Sequence, residues 1–375
     1  MRASTRLKIH FSILLLFFIV KAAAQPKCKI ERYSTEDGLS HDAVTCMMKD
    51  RDGFMWFGTW DGINRFDGHN FVSYKSSPGD LSQLKNDRID QIVEDRSNHL
   101  WLRAYDKEIY RFDKKTEQFL PISPFINTLG KQKIDCSRII AGENGSIWLV
   151  TVKNGLLFIP QTNLPSPRFI SYKKGLNLGY QLPSNTINFF HKDHDHNIWI
   201  GTPDGLCLLA RSASGAYQSI PLESNLVVNL NFTTVNEDDH QLYFGTSQGY
   251  LITYNKASKK ITRQKITSNI LNALLLSKIN GCIYSTTSAS ELIKVNMNDG
   301  KITTSSFTPA GGFYSIYEDR GGHLWIEPKS QGIVRFDPNK ESFQYFSQKN
   351  DARYRRLHPV RTEPAHPLKL VGPTP

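Results

Sequence analysis

The chain has 375 residues, of which 39% are hydrophobic, 11% aromatic and 22% charged, so most of it can bury a large core and disorder is excluded there. Its net charge is +11, but residues 1–24 and 349–375 each carry +4, which leaves only +3 for residues 25–348. Because nucleic-acid binding requires clustered cations that displace counterions, this distribution argues against a nucleic-acid partner.

The first predicted element is a secretory signal peptide over residues 1–24. It has a basic start, an apolar run over residues 11–20 and small residues at 22–24. Cleavage after this pattern releases a chain that begins at Gln25. The apolar run is short for a membrane span, and an uncleaved anchor is the alternative. No second apolar segment of spanning length follows, so we expect the rest to be soluble and to lie outside the cytoplasm.

From there to residue 348 one pattern recurs: an acidic turn, a large aromatic flanked by apolar residues, Gly-Thr, a second Gly and a strand. The clearest copies run over residues 49–67 and 194–206. Seven aromatics, 41 to 51 residues apart, mark the copies: Trp56, Trp101, Trp148, Trp199, Tyr243, Tyr284 and Trp325. Acidic residues stand six positions before five of them: Asp50, Asp95, Asp193, Glu237 and Asp319.

Each copy supplies about four short strands joined by turns rich in Gly, Asp and Asn. Polar and apolar residues alternate over residues 63–66 and 109–112, and no window has a helical period. Forty-odd residues for four strands is typical of a propeller blade. The sequence therefore predicts an all-β fold, a seven-bladed β-propeller of four-stranded antiparallel blades within residues 25–348.

The repeated residues are predicted to have structural roles. The aromatic packs between neighbouring blades, the Gly two positions later allows close backbone approach, and the Asp accepts backbone N–H bonds at the turn. We also expect residues 28–34 to form a strand that completes the last blade and removes two open sheet edges.

Residues 33–44 and 50–66 closely resemble the two-component regulator propeller repeat, and the resemblance extends over about residues 28–348. It implies the periplasmic sensor part of a hybrid two-component system. Intact relatives typically carry two such propellers, a β-sandwich, an inner-membrane helix, a histidine kinase, a receiver and a DNA-binding domain, and they can form homodimers. Many sense oligosaccharides. This chain has no kinase motif, so we expect no enzyme activity and contact with a membrane only through an uncleaved signal or C-terminal regions that it lacks.

After residue 348 the repeat pattern ends. Residues 349–375 are basic and contain five prolines, a composition that cannot bury a core. We interpret this segment as a disordered tail, either the remnant of a truncated gene or a genuine basic extension.

Two clusters invite a metal or redox interpretation. Residues 191–196 contain three histidines and two aspartates, which could ligate a metal, but they fill the same turn as Asp50 and Asp319 and are better explained as a solvated turn. Five cysteines are widely spaced without a C-x-x-C pair, which argues against structural zinc. We expect no metal and no cofactor.

Residues that depart from the repeat are the better candidates for binding, since propeller ligands usually contact variable loops. These candidates are Trp60, Asp61, Arg103, Tyr105 and Asp106. Aromatic faces beside hydrogen-bonding groups suit sugar rings. The alternative for each is packing or exposure to solvent without a ligand.

Three functions remain open from the sequence. The first is a periplasmic sensor propeller for an oligosaccharide, here without its kinase. The second is a protein-interaction propeller with no small ligand. The third is a propeller hydrolase or lyase, which the sequence disfavours because no copy supplies a distinct carboxylate pair or nucleophile.

Overall fold

The computed structural model describes residues 33–76, 84–127, 134–177, 179–212, 216–220, 222, 224–307, 312–329 and 333–346. The predicted signal peptide and C-terminal tail lie outside these residues. The described residues form seven four-stranded sheets, each built from four consecutive antiparallel strands. The predicted fold class, seven four-stranded antiparallel blades, is confirmed.

The strands are numbered in chain order, four to a blade. Blade 1 contains β1 Val44–Lys49, β2 Met55–Thr59, β3 Ile63–Phe66 and β4 Phe71–Tyr74. Blade 2 contains β5 Ile89–Glu94, β6 His99–Ala104, β7 Ile109–Asp113 and β8 Gln118–Pro121. Blade 3 contains β9 Cys136–Ala141, β10 Ile147–Thr151, β11 Leu156–Ile159 and β12 Ile170–Tyr172. Blade 4 contains β13 Phe189–Lys192, β14 Ile198–Thr202, β15 Gly205–Arg211 and β16 Tyr217–Ile220.

The last three blades follow the same plan. Blade 5 contains β17 Phe232–Glu237, β18 Gln241–Thr246, β19 Tyr250–Asn255 and β20 Ile261–Lys265. Blade 6 contains β21 Leu271–Ser277, β22 Cys282–Thr287, β23 Glu291–Asn296 and β24 Ile302–Ser306. Blade 7 contains β25 Phe313–Glu318, β26 Leu324–Pro328, β27 Ile333–Asp337 and β28 Ser342–Phe346. Helical structure in the described part is limited to one short helix, α1 Ser123–Asn127, and two 3-10 turns.

The core is divided into six hydrophobic clusters, and each joins two blades that are neighbours in sequence. The repeated aromatic lies on the second strand of its blade, and in blades 1 to 6 it packs against the following blade. Trp56, for example, meets Phe112 of blade 2 with ring centres 5.7 Å apart. The residues on either side of each aromatic point the other way, so that Leu100 and Leu102 of blade 2 pack in the cluster that contains Trp56. No cluster of the described residues joins blade 7 to blade 1.

The sequence predicted that residues 28–34 form a strand of the last blade. Among the described residues, the last sheet has four strands within residues 313–346, and Tyr33 and Ser34 belong to none of them. Residues 28–32 lie outside the described residues. The Tyr33 ring packs 5.1 Å from Phe66 and 5.8 Å from Phe71, both on blade 1, and Ser34 caps a 3-10 turn. Aromatic contact with its own blade therefore fixes the start of the described chain.

Four cysteines lie in the described part and all are free: Cys136, Cys207 and Cys282 are buried and Cys46 is half-buried. Burial raises the pKa of the Cys136 thiol to about 12. These side chains therefore act as small apolar groups in the blade cores.

Candidate functional site

The turn after β2 presents Trp60 to solvent. The Thr59 hydroxyl accepts a hydrogen bond from the Asp61 N–H (3.0 Å) and donates one to the Gly62 carbonyl (3.2 Å). Gly62 has φ +92°, and a Cβ there would clash with the Tyr74 carbonyl. The geometry of this Gly-Thr-x-x-Gly turn therefore leaves the Trp60 side chain outside the blade, with 54% of its surface exposed.

One arginine side chain contacts both Trp60 and an aromatic side chain of the next blade. The Arg88 guanidinium carbon lies 5.4 Å from the centre of the Trp60 ring and 4.2 Å from that of Tyr105. Tyr105 occupies the turn after β6, as Trp60 does after β2, and is also 54% exposed. The His41 ring stacks against Trp60 at 5.7 Å with an interplanar angle of 28°. We call His41, Trp60, Arg88 and Tyr105 the aromatic platform.

Asp90 orients the arginines of this region. Its carboxylate accepts a bond from Arg88 Nε (3.1 Å) and lies 3.5 Å from an Arg103 terminal nitrogen. The Arg88 carbonyl accepts from the Tyr105 N–H at 2.9 Å, so the backbone also fixes the two platform residues. The Arg103 Nε is buried and has no hydrogen-bond partner among the described residues. The site thus combines flat aromatic faces with charged donors held by one carboxylate.

The five residues singled out in the sequence divide into two groups. Trp60, Arg103 and Tyr105 lie around the Arg88–Asp90 pair. Asp61 forms an exposed ion pair with Lys75 at 2.9 Å, and Asp106 accepts the Glu108 N–H at 3.2 Å within its own turn. His41, Arg88 and Asp90 were missed. Their sequence signal is their position in the repeat: His41 and Arg88 lie in the segments that precede β1 and β5, and Asp90 is the second residue of β5.

The repeated aspartates have an additional partner that the sequence did not reveal. In four blades the Trp Nε1 donates to the Asp Oδ2: Trp56 to Asp50 (2.8 Å), Trp101 to Asp95 (2.9 Å), Trp199 to Asp193 (2.8 Å) and Trp325 to Asp319 (2.8 Å). The same carboxylates accept backbone N–H bonds, as in Asp95 with Ser97 and His99.

These bonds determine the ionisation of the aspartates. Burial acts to raise the pKa of the Asp95 carboxyl, but hydrogen bonds from His99 and Trp101 outweigh it and lower the pKa to about 2. The bond from Trp325 likewise lowers the pKa of Asp319 to about 2. The negative charge of these aspartates therefore has a structural role, because it strengthens the hydrogen bonds that they accept from the turn and from the tryptophan side chain.

In blade 5 the structure corrects the sequence analysis, which had placed Glu237 as the counterpart of the repeated aspartates. The residue that binds the repeated aromatic is Asp238, whose carboxylate accepts from the Tyr243 hydroxyl at 2.9 Å, and Glu237 instead binds Lys256 at 2.8 Å. The turn between β17 and β18 is one residue shorter than that between β1 and β2, so the acid moves one position closer to the aromatic.

One acidic group in the described part has the arrangement of a cation site, Asp50, Asp52 and Glu94. The Lys114 ammonium lies among these carboxylates, 3.0 Å from Asp50, 2.8 Å from Asp52 and 2.7 Å from Glu94. A fixed cation of the protein therefore occupies the position that a metal ion would take, and the group links blade 1 to blade 2.

The histidines of residues 191–196 point to different acids. His191 and His194 approach Glu237 of blade 5 at 3.2 and 3.6 Å, whereas His196 lies 2.6 Å from Glu143 of blade 3. Since the three rings face two separate blades, they do not converge on one ligand point.

The chain is similar to proteins of two-component signalling. The family model described as two component regulator propeller matches residues 38–61 and 181–204, so the chain carries repeats of this kind, as the sequence predicted. Over 76 residues it is 34% identical to histidine kinase P4 of Formosa agariphila, a match that covers 20% of this chain and 6% of the kinase.

Among solved structures, the extracellular domain of the putative hybrid two component system BT3049 from B. thetaiotaomicron has a TM-score of 0.46 and 20% identity, covering 81% of this chain and 41% of that one. Streptogramin B lyase has a TM-score of 0.44 and 15% identity, with coverages of 78% and 92%. The dihydro-heme d1 dehydrogenase NirN has a TM-score of 0.53 and 14% identity, with coverages of 80% and 65%, a likeness of fold alone. The chain thus spans a small part of the kinase and less than half of the BT3049 domain. No described helix has the length and apolarity needed to cross a bilayer.

Proposed function

We propose, from the two component regulator propeller repeats that the chain carries, that it is a periplasmic ligand-sensing propeller that binds an oligosaccharide on the aromatic platform. The observation that carries this proposal is that Trp60 and Tyr105, on equivalent turns of neighbouring blades, are more than half exposed while Arg88 holds them in fixed positions.

The exposure of these rings supports a binding role on physical grounds. Six of the seven repeat aromatics are at most 3% exposed, so this fold readily buries large rings. Exposed aromatic area carries a free-energy cost that a bound ligand removes. Sugar rings have apolar C–H faces that stack on aromatic side chains, and their hydroxyls can bond the Arg88, Arg103 and Asp90 groups beside the platform.

In a longer protein of this kind, ligand binding would be transmitted to a kinase across the inner membrane, with the propellers in a homodimer. The chain itself would bind without turnover. The alternative with a specific observation in its favour is a protein-interaction propeller, because aromatic and arginine side chains on a rigid surface also anchor protein partners. A hydrolase or lyase role lacks such an observation.

Isothermal titration of the full chain against neutral and acidic oligosaccharides tests the proposal. We expect at least one sugar to bind, and Trp60→Ala and Tyr105→Ala each to weaken binding by about tenfold or more, since a stacked ring contributes on the order of 1 kcal/mol or more. Tyr314→Ala is the matched control, because Tyr314 is equally exposed at 54% and also lies beside a basic side chain, with Lys329 Nζ 5.4 Å from its ring centre.

The outcomes separate the candidate functions. Failure of every sugar to bind, with a protein partner captured through Trp60, would favour the interaction propeller. Turnover of a bound sugar would instead show that the chain is an enzyme.

A further inference from the structure

The strand pairing defines a common position for the acid that binds the repeat aromatic. This position lies two residues beyond the residue that pairs with the aromatic across the hairpin, and it is occupied by Asp50 in blade 1 and by Asp238 in blade 5. In blade 6, where Leu275 pairs with Tyr284, the same position holds Ser277. The Tyr284 side chain is fully buried, and its hydroxyl has no hydrogen-bond partner among the described residues. A buried hydroxyl without a partner is costly, so this position calls for a ligand.

The interface between blades 6 and 7 also lacks the lysine that links blades 1 and 2. There, Lys114 follows the third strand of blade 2 and contacts Glu94 of the same blade. The corresponding positions in blade 7, counted from its own repeat aromatic, are Pro338 and Glu318. The Glu318 carboxylate accepts a bond from the Ser277 hydroxyl of blade 6 at 2.5 Å, but it forms no ion pair with any described residue. This interface therefore keeps the acid and has lost the cation.

A small cavity lies at the same interface. Its walls include Tyr284, Thr303 and Ser305 of blade 6, and Pro338 and Glu341 of blade 7. The space that a water-sized particle can reach inside it is about 10 Å³, which is room for one such particle. The cavity is therefore bordered by the residue in the position of Lys114, and its wall offers several oxygen atoms.

The surroundings of the buried hydroxyl are negatively charged. Burial raises the pKa of Tyr284, and the nearby Cys282, Glu318 and Glu341 raise it further. Because charges act on a pKa at short range, both carboxylates lie near this hydroxyl. Lys294, which pairs with Tyr284 across the hairpin, also lines the cavity and offsets the charge of one carboxylate. One negative charge and one buried hydroxyl are left for a ligand.

We propose that a monovalent inorganic cation, K⁺ or Na⁺, binds in this cavity and takes the role that the Lys114 ammonium has between blades 1 and 2. The Tyr284 hydroxyl and the Glu318 and Glu341 carboxylates supply oxygen ligands from both blades. Such an ion is of the right size, since K⁺ is about as large as a water molecule. One uncompensated carboxylate charge and neutral hydroxyls suit a monovalent ion better than Ca²⁺, which takes about six to eight oxygens and favours carboxylates.

Thermal unfolding of the full chain in KCl or in NaCl tests this proposal, with tetramethylammonium chloride added to keep the ionic strength constant. Tetramethylammonium is too large for the cavity, so it screens charges without binding there. A ligand that binds only the folded chain stabilises it by mass action. We expect the melting temperature to rise with K⁺ or Na⁺, and each tenfold rise in the bound ion above its dissociation constant to lower the unfolding equilibrium constant by up to about tenfold.

Two substitutions connect this effect to the cavity. Glu318→Gln removes a ligand charge and should abolish the dependence on K⁺ and Na⁺. Glu36→Gln is the matched control, since it removes the same charge from an exposed residue in the 3-10 turn Thr35–Asp37 and should leave the dependence unchanged. Pro338→Lys places an ammonium at the position of Lys114, so this variant should be equally stable with or without the two ions.

Crystals grown with Tl⁺ locate the ion directly, because Tl⁺ replaces K⁺ and scatters X-rays anomalously. An anomalous peak is expected between Tyr284, Glu318 and Glu341. The proposal is overturned if neither K⁺ nor Na⁺ raises the melting temperature above its value in tetramethylammonium alone. It is also overturned if the dependence survives in both Glu318→Gln and Pro338→Lys, or if the cavity holds a water molecule without anomalous signal.

Discussion

At the scale of single residues, the Asp–Trp pair explains how a large ring with a polar indole N–H is tolerated in the core. Trp101 is fully buried, and a buried indole N–H without a partner would cost the desolvation of that group. The Asp95 carboxylate provides the partner and also accepts two N–H groups of its own turn. One side chain therefore fixes both the hairpin before β6 and the orientation of the ring that packs on blade 3.

We predict that Asp95→Asn lowers the free energy of unfolding by about 1.5–3 kcal/mol at neutral pH, the usual contribution of hydrogen bonds to a charged group. The pKa of Asp95 is about 2 in the folded chain, below the usual value of about 3.9 for an aspartate. Its stabilising effect is therefore complete above the unfolded pKa and is lost as pH falls toward the folded one. Urea unfolding between pH 7 and 2 should show the deficit of the variant shrinking below about pH 4.

The matched control for this change is Asp195→Asn, an exposed aspartate in the corresponding turn of blade 4. It should alter stability by less than about 0.5 kcal/mol, as surface substitutions do. A deficit in Asp95→Asn that stayed constant from pH 7 to pH 2 would contradict the assigned role of the carboxylate.

Spacing in the sequence was sufficient to locate the repeat residues but not their partners. The predicted close approach at the glycine after the aromatic is real: a Cβ at Gly201 would clash with the Phe189 ring, although its φ is not in the left-handed region. The indole–carboxylate bond was not foreseen, because two residues six positions apart meet only when the hairpin closes. Arg88 was missed as a platform residue for the same reason, since its contact with Trp60 crosses a blade boundary and its contact with Tyr105 joins two turns of blade 2 that are 17 positions apart in sequence.

At the scale of elements, ion pairs join the turns of neighbouring blades beside the apolar clusters. Lys114, which follows β7 in blade 2, reaches Asp50 and Asp52 of blade 1 as well as Glu94. Glu143 of blade 3 receives Lys192, His196 and Arg211 of blade 4. Because the Lys114 and Glu94 side chains are only 7% exposed, their pairing is poorly screened by salt.

We predict that Lys114→Ala destabilises the chain by about 3 kcal/mol, because removing one partner of a buried ion pair leaves charges uncompensated. Burial acts to lower the pKa of Lys114, but the hydrogen bonds that it donates to Asp52, Glu94 and Asp50 outweigh burial and raise the pKa. The hydrogen bonds that Asp50 accepts from Trp56 and Lys114 lower the pKa of Asp50 despite its burial. The wild-type group thus stabilises from above about pH 4 to below about pH 10.

Thermal unfolding at pH 7 measures this loss, with Lys115→Ala as the control, since Lys115 is the exposed neighbour in the same turn. Equal melting temperatures for the two variants would mean that Lys114 does not stabilise the fold through its contacts with the three carboxylates. The Lys114→Ala deficit should also narrow in acid, because the pKa of Asp50 is lowered and its contribution to stability is lost as pH falls through that pKa.

The blades themselves were predictable because period-two alternation and turn residues are local features. The strand that the sequence predicts over residues 28–34 stays a prediction, since residues 28–32 lie outside the described residues. Composition does not specify which edge such a strand joins, and within this segment Tyr33 contacts Phe66 and Phe71 of blade 1.

At the scale of the whole molecule, stability should be distributed as in other repeat arrays, where each unit is stabilised mainly by its neighbours. Blades 2–6 each contribute to two clusters, whereas blades 1 and 7 each contribute to one. Blade 7 therefore has one packed face and one that leaves Tyr317 in solvent. Local opening should begin at the ends of the array and be rarest near its middle.

We predict that native-state hydrogen exchange, measured on dilute chain, protects the backbone amides of β14 and β18 at least about tenfold more than those of β2 and β26, since one missing interface removes more than about 1.4 kcal/mol of local stability. Each of these four strands is the second strand of its blade and carries the repeat aromatic at the equivalent position, so the amides that are compared occupy matched places in their blades. Exchange of all seven blades at a single rate would contradict the idea that each blade is stabilised mainly by its neighbours. Blades 1 and 7 would then open only when all the blades open together.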